Sequence, residues 1–370
     1  MKQHRFLEVA SLAADMQAGG ALAMQHVNQQ GGVLNQQYKL IFADSACDPG
    51  KAVEAVKQLI EVEKVSALVG PVCSGATLRQ ARSVSIPAGV VTLSVASASS
   101  LISRLRDNDL VFRTAIADPF KGEVMAEYAI ENGIKEIAVS FSNDAYNSGI
   151  AEVFRKAFKA KGGIITANQV HQANQSDYRR EVEALVARSE HIALFAYYGA
   201  SGTQLLKDAF ATNKVGQVFA TDGMLSQDLI DALGAEALSS TRIFNNSSNE
   251  SRKAFKIWKD HAETASIPAK GPFGANSYDA AFMIALAIQA VGSADKAGIS
   301  AGLRAIAGPM GEVIFPGEFE KAKHILSEGG KINYDGGSGP VDFDKNGDVT
   351  GFIGVSQVKD GAWESTLFHK

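Results

Sequence analysis

Apolar positions along this chain fall into short runs that alternate with stretches of helical period. Residues 38–43 (Tyr-Lys-Leu-Ile-Phe-Ala) read as a buried strand, and 51–63 as a helix with Val53, Val56, Leu59 and Ile60 on one face. Strand 65–70, a helix near 77–84, strand 89–94 and strand 111–114 follow. A second series begins with helix 121–132, closed by Gly133. It runs on through strand 136–141, helix 148–161, strand 164–170, helix 178–188, strand 192–197, helix 203–212, strand 217–221, helix 227–233 and strand 241–244. Helices at 250–265, 276–291, 299–307 and 318–327 come next, and the tail from Ile332 is β-like with turn signals.

Repeated βα units imply parallel sheets covered by helices on both faces. The strands are too many for one comfortable sheet, and the rhythm restarts near residue 116. The expected fold class is therefore α/β, with two doubly wound parallel-sheet lobes joined by a hinge that the chain crosses several times. Helices after residue 245 lack local strands to cover, so they are expected to return to the first lobe. Lobe 1 is then 1–115 and 243–328, and lobe 2 is 116–242 and 329–370.

Composition narrows the functional classes. The 370 residues are 46% hydrophobic and 21% charged, enough for full cores. A net charge of −4 supplies no basic footprint for nucleic acid or an anionic membrane surface. No apolar run reaches transmembrane length. The basic opening Met1-Lys-Gln-His-Arg5 precedes an apolar stretch that is too short for a signal peptide and contains Glu8.

Catalytic and metal signatures are missing from the sequence: no Gly-x-Ser-x-Gly, no Walker loop, no His-Glu-x-x-His, and no Gly-x-Gly-x-x-Gly opening a helix. The seven histidines show no ligand spacing, so neither a metal nor a cofactor is expected. Asp342-Phe-Asp-Lys-Asn-Gly-Asp348 opens like a calcium loop, but its last ligand position is Ile353 rather than glutamate. Asn346-Gly347 reads better as a hairpin turn. The two cysteines, Cys47 and Cys73, each follow a predicted strand; they read either as one bridge of an exported protein or as two unpaired thiols.

Small polar residues gather where strands end. Ser74, in Gly70-Pro-Val-Cys-Ser-Gly-Ala-Thr77, reads either as a helix cap or as a donor toward a carboxylate. Ser94-Val-Ala-Ser-Ala-Ser-Ser100 brings further donors to the end of the next strand, where doubly wound sheets bind their ligands. In the second lobe, Asp222 of Thr221-Asp-Gly223 reads either as a turn residue or as a partner for an ammonium group. Tyr146, Tyr197 and Tyr198 lie near strand ends, as core residues or as a roof over a ligand. Carboxylate donors from one lobe, with an acid and aromatics from the other, describe a trap for a zwitterion such as an amino acid.

These residues resemble the type I periplasmic solute-binding proteins, specifically the leucine/isoleucine/valine-binding branch of ABC importers. The resemblance runs from about Ala13 to Trp363. It is carried by residues 15–33 with their Val-Asn-Gln-Gln-Gly-Gly-Val ending, by Ala43-Asp-Ser-Ala-Cys-Asp-Pro49, by Val69-Gly-Pro-Val-Cys-Ser-Gly75, and by Gly339-Pro-Val-Asp-Phe-Asp344 with Asn346-Gly-Asp-Val-Thr-Gly351. It implies a Cys47–Cys73 disulfide. It also implies that Ser74 holds the ligand carboxylate with Ala96 as a backbone donor, while Ala98 stands where the family usually has a threonine, flanked by Ser97 and Ser99. Asp222 takes the position that binds the α-ammonium. Tyr146 and one of Tyr197 or Tyr198 match the second-lobe aromatics, and Leu12 stands where a first-lobe aromatic is common.

The same resemblance implies a periplasmic or secreted monomer without cofactor, which closes by the hinge motion known for this class and docks on a membrane permease. Family members begin with a strand central to lobe 1. Before Leu12 only residues 6–10 could fill that slot, so the sequence is expected to lack its signal peptide and first strand. Two alternatives remain open at this stage: a sensor or receptor of the same fold for amides or aromatic acids, and a two-domain enzyme using Asp222 and a tyrosine as acid and base.

Overall fold

The computed structural model describes residues 4–269, 271 and 273–369, with side chains from residue 14 to 368. The chain forms two compact units, one of Phe6–Ala117 with Ser248–Gly351 and one of Asp118–Ser247 with the segment from Phe352. From Phe6 onward it passes between them three times.

The first unit opens with α1 (His4–Gln29), α2 (Pro49–Glu61), β1 (Ala67–Val69), α3 (Ser74–Gln80), β2 (Val91–Ser94) and β3 (Val111–Arg113). The three strands are parallel, in the order β1-β2-β3, with Ala67 opposite Val91 and Thr92 opposite Val111. Asp48 caps α2 by accepting from the Gly50 and Lys51 amides, with Pro49 in the first turn, where its missing N–H costs nothing. The Cys47–Cys73 disulfide, with Cα atoms 5.3 Å apart, joins the approach to α2 to the residue before α3.

The second unit follows: α4 (Asp118–Glu131), β4 (Glu136–Ser142), α5 (Asn147–Ala160), β5 (Ile164–His171), α6 (Arg179–Val186), β6 (Ile192–Phe195), α7 (Thr203–Ala211), β7 (Val218–Thr221), α8 (Gln227–Leu233) and β8 (Thr241–Ser247). The chain then returns to the first unit with α9 (Lys253–Thr264), α10 (Gly274–Val291), α11 (Lys296–Ile306), β9 (Glu312–Ile314), α12 (Phe319–Ser327) and β10 (Ile332–Tyr334). Two final strands, β11 (Phe352–Lys359) and β12 (Ala362–His369), complete the second unit's sheet. Its order is β12-β11-β8-β7-β6-β4-β5, parallel from β8 to β5 and antiparallel at β11 and β12. Its inner strands read as unbroken apolar runs because helices cover both faces; Ile192–Phe195 and Val218–Thr221 are buried throughout.

α10 is apolar on every side because it runs through the first unit's core, with Tyr278, Phe282, Met283 and Leu286 fully buried. Each such side chain contributes about 1.5–3 kcal/mol by leaving water. A Cβ on Gly19 would meet the Gly274 carbonyl at 2.3 Å, so only glycine lets α1 approach α10 this closely. Among the described residues no single helix is long and apolar enough to cross a membrane.

Two expectations need correction. Residues 38–43 do not form a strand; they run without ladder partners, leaving Ile41 and Phe42 46% and 56% exposed. A strand needs a hydrogen-bonding neighbour, and among the described residues β1 pairs only with β2. Tyr38 is instead anchored by exchanging bonds with the Asn28 side chain and by donating its hydroxyl to the Ala281 carbonyl.

The second correction concerns residues 329–351, expected in lobe 2. They belong to the first unit. β10 pairs with β9, Val349 bridges to Ile116, and Arg252 ion-pairs with Asp335. Asp279, fully buried in α10, accepts from the Tyr334 hydroxyl (2.7 Å), the Gly337 and Ser338 amides (3.1 and 2.8 Å) and the Ser338 hydroxyl (2.6 Å). Burial raises the Asp279 pKa, and these four bonds offset part of the rise. The Asn346-Gly347 turn forms, with Asp344 accepting from the Asn346 and Asp348 amides.

Candidate functional site

In the first unit, α3 starts at Ser74 after an N-cap at Cys73, so the Ser74 hydroxyl does not serve as the cap. Ser74 is 4% exposed, and its oxygen accepts from the Ser99 amide at 3.3 Å, which brings the loop after β2 against the loop after β1. The Ser97 hydroxyl is absorbed inside that loop pair, within bonding distance of Thr77 Oγ1 (2.8 Å) and of the Val72 (2.9 Å) and Pro71 (3.2 Å) carbonyls. Ser94 likewise donates to the Pro71 carbonyl.

Arg113, fully buried at the end of β3, fixes the loop from behind. Its Nη1 donates to the carbonyls of Ser97 (3.2 Å) and Ser99 (3.0 Å), its Nη2 to Ser103, and its Nε to Asp348 at 2.6 Å. In a planar trans peptide the N–H points opposite to the C=O, so the Ala98 and Ser100 amides face away from the guanidinium. Among the described residues, the N–H groups of Ala96 and Ala98 and the Ser74 hydroxyl hydrogen find no acceptor within the chain. Three uncharged donors thus lie on the loops that follow the adjacent strands β1 and β2, an arrangement suited to an anion.

In the second unit, Asp222 follows β7 and is ion-paired with Lys121 of α4 through Oδ2. The Lys121 side chain is fully buried, while that of Asp222 keeps 17% of its surface. Tyr146 donates its hydroxyl to the same Oδ2 at 3.3 Å, and the Asn246 amide donates to Oδ1 at 3.2 Å. Burial first, then the charges of Asp222 and the buried Asp118, hold the Tyr146 hydroxyl well above its ordinary pKa. Tyr146 therefore stays protonated and is no general base. The Tyr197 ring lies 6.2 Å from that of Tyr146, and a Cβ on Gly223 would meet the Ala196 carbonyl at 2.6 Å, so a glycine is required where the chain turns after Asp222.

Tyr198 goes elsewhere. Its hydroxyl donates to Asp228 at 3.2 Å, and it lines a separate surface cavity of about 550 Å³ with Asn174 and Ser201. Behind Ser201 lies His171, 1% exposed, with Nδ1 2.8 Å from Ser140 Oγ and Nε2 2.9 Å from Ser201 Oγ. Burial lowers its pKa to about 4.

The sequence-based candidates thus fall into two sets, Ser74, Ala96 and Ala98 in one unit and Asp222, Tyr146 and Tyr197 in the other. Ser97 is internal, Tyr198 faces a different cavity, and Leu12 lies outside the residues whose side chains are described. Sequence reasoning missed Arg113, Lys121 and Asn246. For Lys121 a signal existed: its spacing to Val124, Met125 and Tyr128 places a charge on the apolar stripe of α4.

The profile of the periplasmic binding protein family matches residues 8–350. The chain belongs to that family. Over 292 residues this binding protein is 27% identical to the Leu/Ile/Val-binding protein BraC3 of Rhizobium johnstonii, spanning 78% of each chain. The leucine-binding protein LivK of Thermotoga maritima shares its fold with a TM-score of 0.79, at 23% identity over 96% of this chain and 93% of that one. A solute-binding protein of an ABC transporter from R. palustris, in complex with benzoate, reaches a TM-score of 0.76 at 18% identity over 97% and 92%. These relatives are binding proteins, and the enzyme reading is set aside.

Proposed function

We propose that this chain is the extracytoplasmic substrate-binding component of an ABC importer, delivering a small carboxylated solute of amino-acid size to a membrane permease. The observation that carries the reading is the cluster of unsatisfied, uncharged donors: the Ser74 hydroxyl with the Ala96 and Ala98 amides, braced by Arg113. A carboxylate accepts from such donors at full strength because no counter-charge competes for it. Asp222, Tyr146 and Tyr197 are read as the groups that meet the rest of the guest. The Leu/Ile/Val-binding relative supports an amino acid or its analogue, and the benzoate complex indicates that this fold also accepts a carboxylate without an amine.

The test is a thermal-shift screen of amino acids, amides and aromatic acids, followed by calorimetry and mass analysis of the released ligand. Expected is one-to-one binding of a carboxylate, released unchanged, with Ser74→Ala weakening it by about 0.5–1.5 kcal/mol, roughly two- to tenfold. Preference for the matching uncharged amides over carboxylates would overturn the reading.

A further inference from the structure

Asp222 is not a free acid awaiting a cation. Its Oδ2 already takes the ammonium of Lys121 and the hydroxyl of Tyr146, and its Oδ1 takes the Asn246 amide. Lys121 is fully buried, its ammonium 5.9 Å from the centre of the Tyr146 ring. It cannot yield its place cheaply, because displacing it from Asp222 would remove the partner of a buried charge. Asp118, one helical turn before Lys121, is also fully buried and acts on Tyr146. Of these three charged side chains only Asp222 keeps exposed surface, and Lys121 offsets its charge from behind.

The neighbouring amide points to a different guest. Asn246, whose main chain bonds Asp222, has its side-chain nitrogen and oxygen buried, and neither has a partner within the chain. A neutral amide offers one acceptor and two donors, which suits a group that both donates and accepts, such as a hydroxyl or another amide; an ammonium can donate to the oxygen but leaves the buried N–H groups without an acceptor. Oδ1 of Asp222, with one donor in place, retains a lone pair for a neutral O–H or N–H.

We propose, resting on the carboxylate-binding reading above, that Lys121 excludes α-amino acids and that the ligand is a carboxylate whose second polar group is a neutral donor, a hydroxyl or an amide. Lys121 occupies the place an α-ammonium would take, so the acid that would hold a zwitterion instead holds the protein's own cation. Lys121 is then a specificity-determining residue, acting through Asp222.

Matched pairs that differ only in ammonium against hydroxyl test this: L-leucine with L-2-hydroxy-4-methylpentanoate, and L-phenylalanine with L-3-phenyllactate. Calorimetry on the wild-type chain should give the hydroxy acid at least about tenfold tighter binding than its amino acid in each pair that binds. Lys121→Gln, with its fold checked by circular dichroism, should narrow or invert that ratio by freeing Asp222. Lys121→Met provides a second reading if the glutamine bonds Asp222 itself. Amino acids binding as tightly as the hydroxy acids in the wild-type chain would overturn the exclusion while leaving carboxylate binding intact. If no carboxylate binds to the folded wild-type chain, in these pairs or in the wider screen, the underlying reading fails and the proposal goes with it.

Discussion

Both units place a fully buried cation behind their candidate residues, but they use it in opposite ways. Arg113 spreads its planar fork over two carbonyls, a hydroxyl and Asp348, so its charge is consumed in holding a loop. What that loop presents is uncharged. Lys121 is a compact point charge and goes directly to the candidate acid, Asp222. One cation shapes its neighbours and the other cancels one. A buried charge near a binding surface therefore says little about the charge of the ligand until its own partner is known.

Asp222→Ala should have the largest effect. It leaves the Lys121 ammonium buried without its partner, at a cost of about 3–5 kcal/mol. The sequence holds two tryptophans, and each unit has one: Trp258 in the first and Trp363 in the second. Urea unfolding of single-tryptophan variants should show the loss through Trp363 and far less through Trp258; equal shifts would sink the idea that the damage is local.

Removing the disulfide by Cys47→Ser with Cys73→Ser should do the reverse. It should cost about 3–4 kcal/mol by loop closure, read mainly through Trp258. A change confined to Trp363 would contradict the placement of the bridge.

The smallest effect is that of acid on the second unit. His171 titrates near 4 in the folded unit because it is buried neutral between Ser140 and Ser201, against about 6.5 when unfolded. Between those values the unfolded chain binds more protons, so the contribution is complete above about pH 6.5 and is lost as pH falls toward 4. The loss reaches at most about 3 kcal/mol, and His171→Asn should flatten the Trp363 slope over that window. His26 in the first unit, lowered to about 4 by burial and by His261, gives the Trp258 signal a slope of the same sign, which His171→Asn should leave unchanged.

The βα rhythm was legible because each inner strand is a short apolar run and each helix carries an apolar stripe. Ser74, Asp222 and Tyr146 were legible because polar residues after such runs fall at strand ends. Lys121 and Arg113 were harder to read, since burial of a charge depends on partners about 100 and 235 positions away. Residues 38–43 have the composition of a strand, but pairing is settled by neighbours in space rather than by the run itself. Tyr197 and Tyr198 adjoin in sequence and diverge in space, one to Tyr146 and the other to Asp228, which the resemblance could not separate.

Arg113 grips the loop after β2 by the Ser97 and Ser99 carbonyls. A loop steered from its rear keeps its amides on the opposite side, while the methyls of Ala98, 2% exposed, and Ala96, set against the first unit's core, are packed inside the protein, so larger side chains there would overpack it.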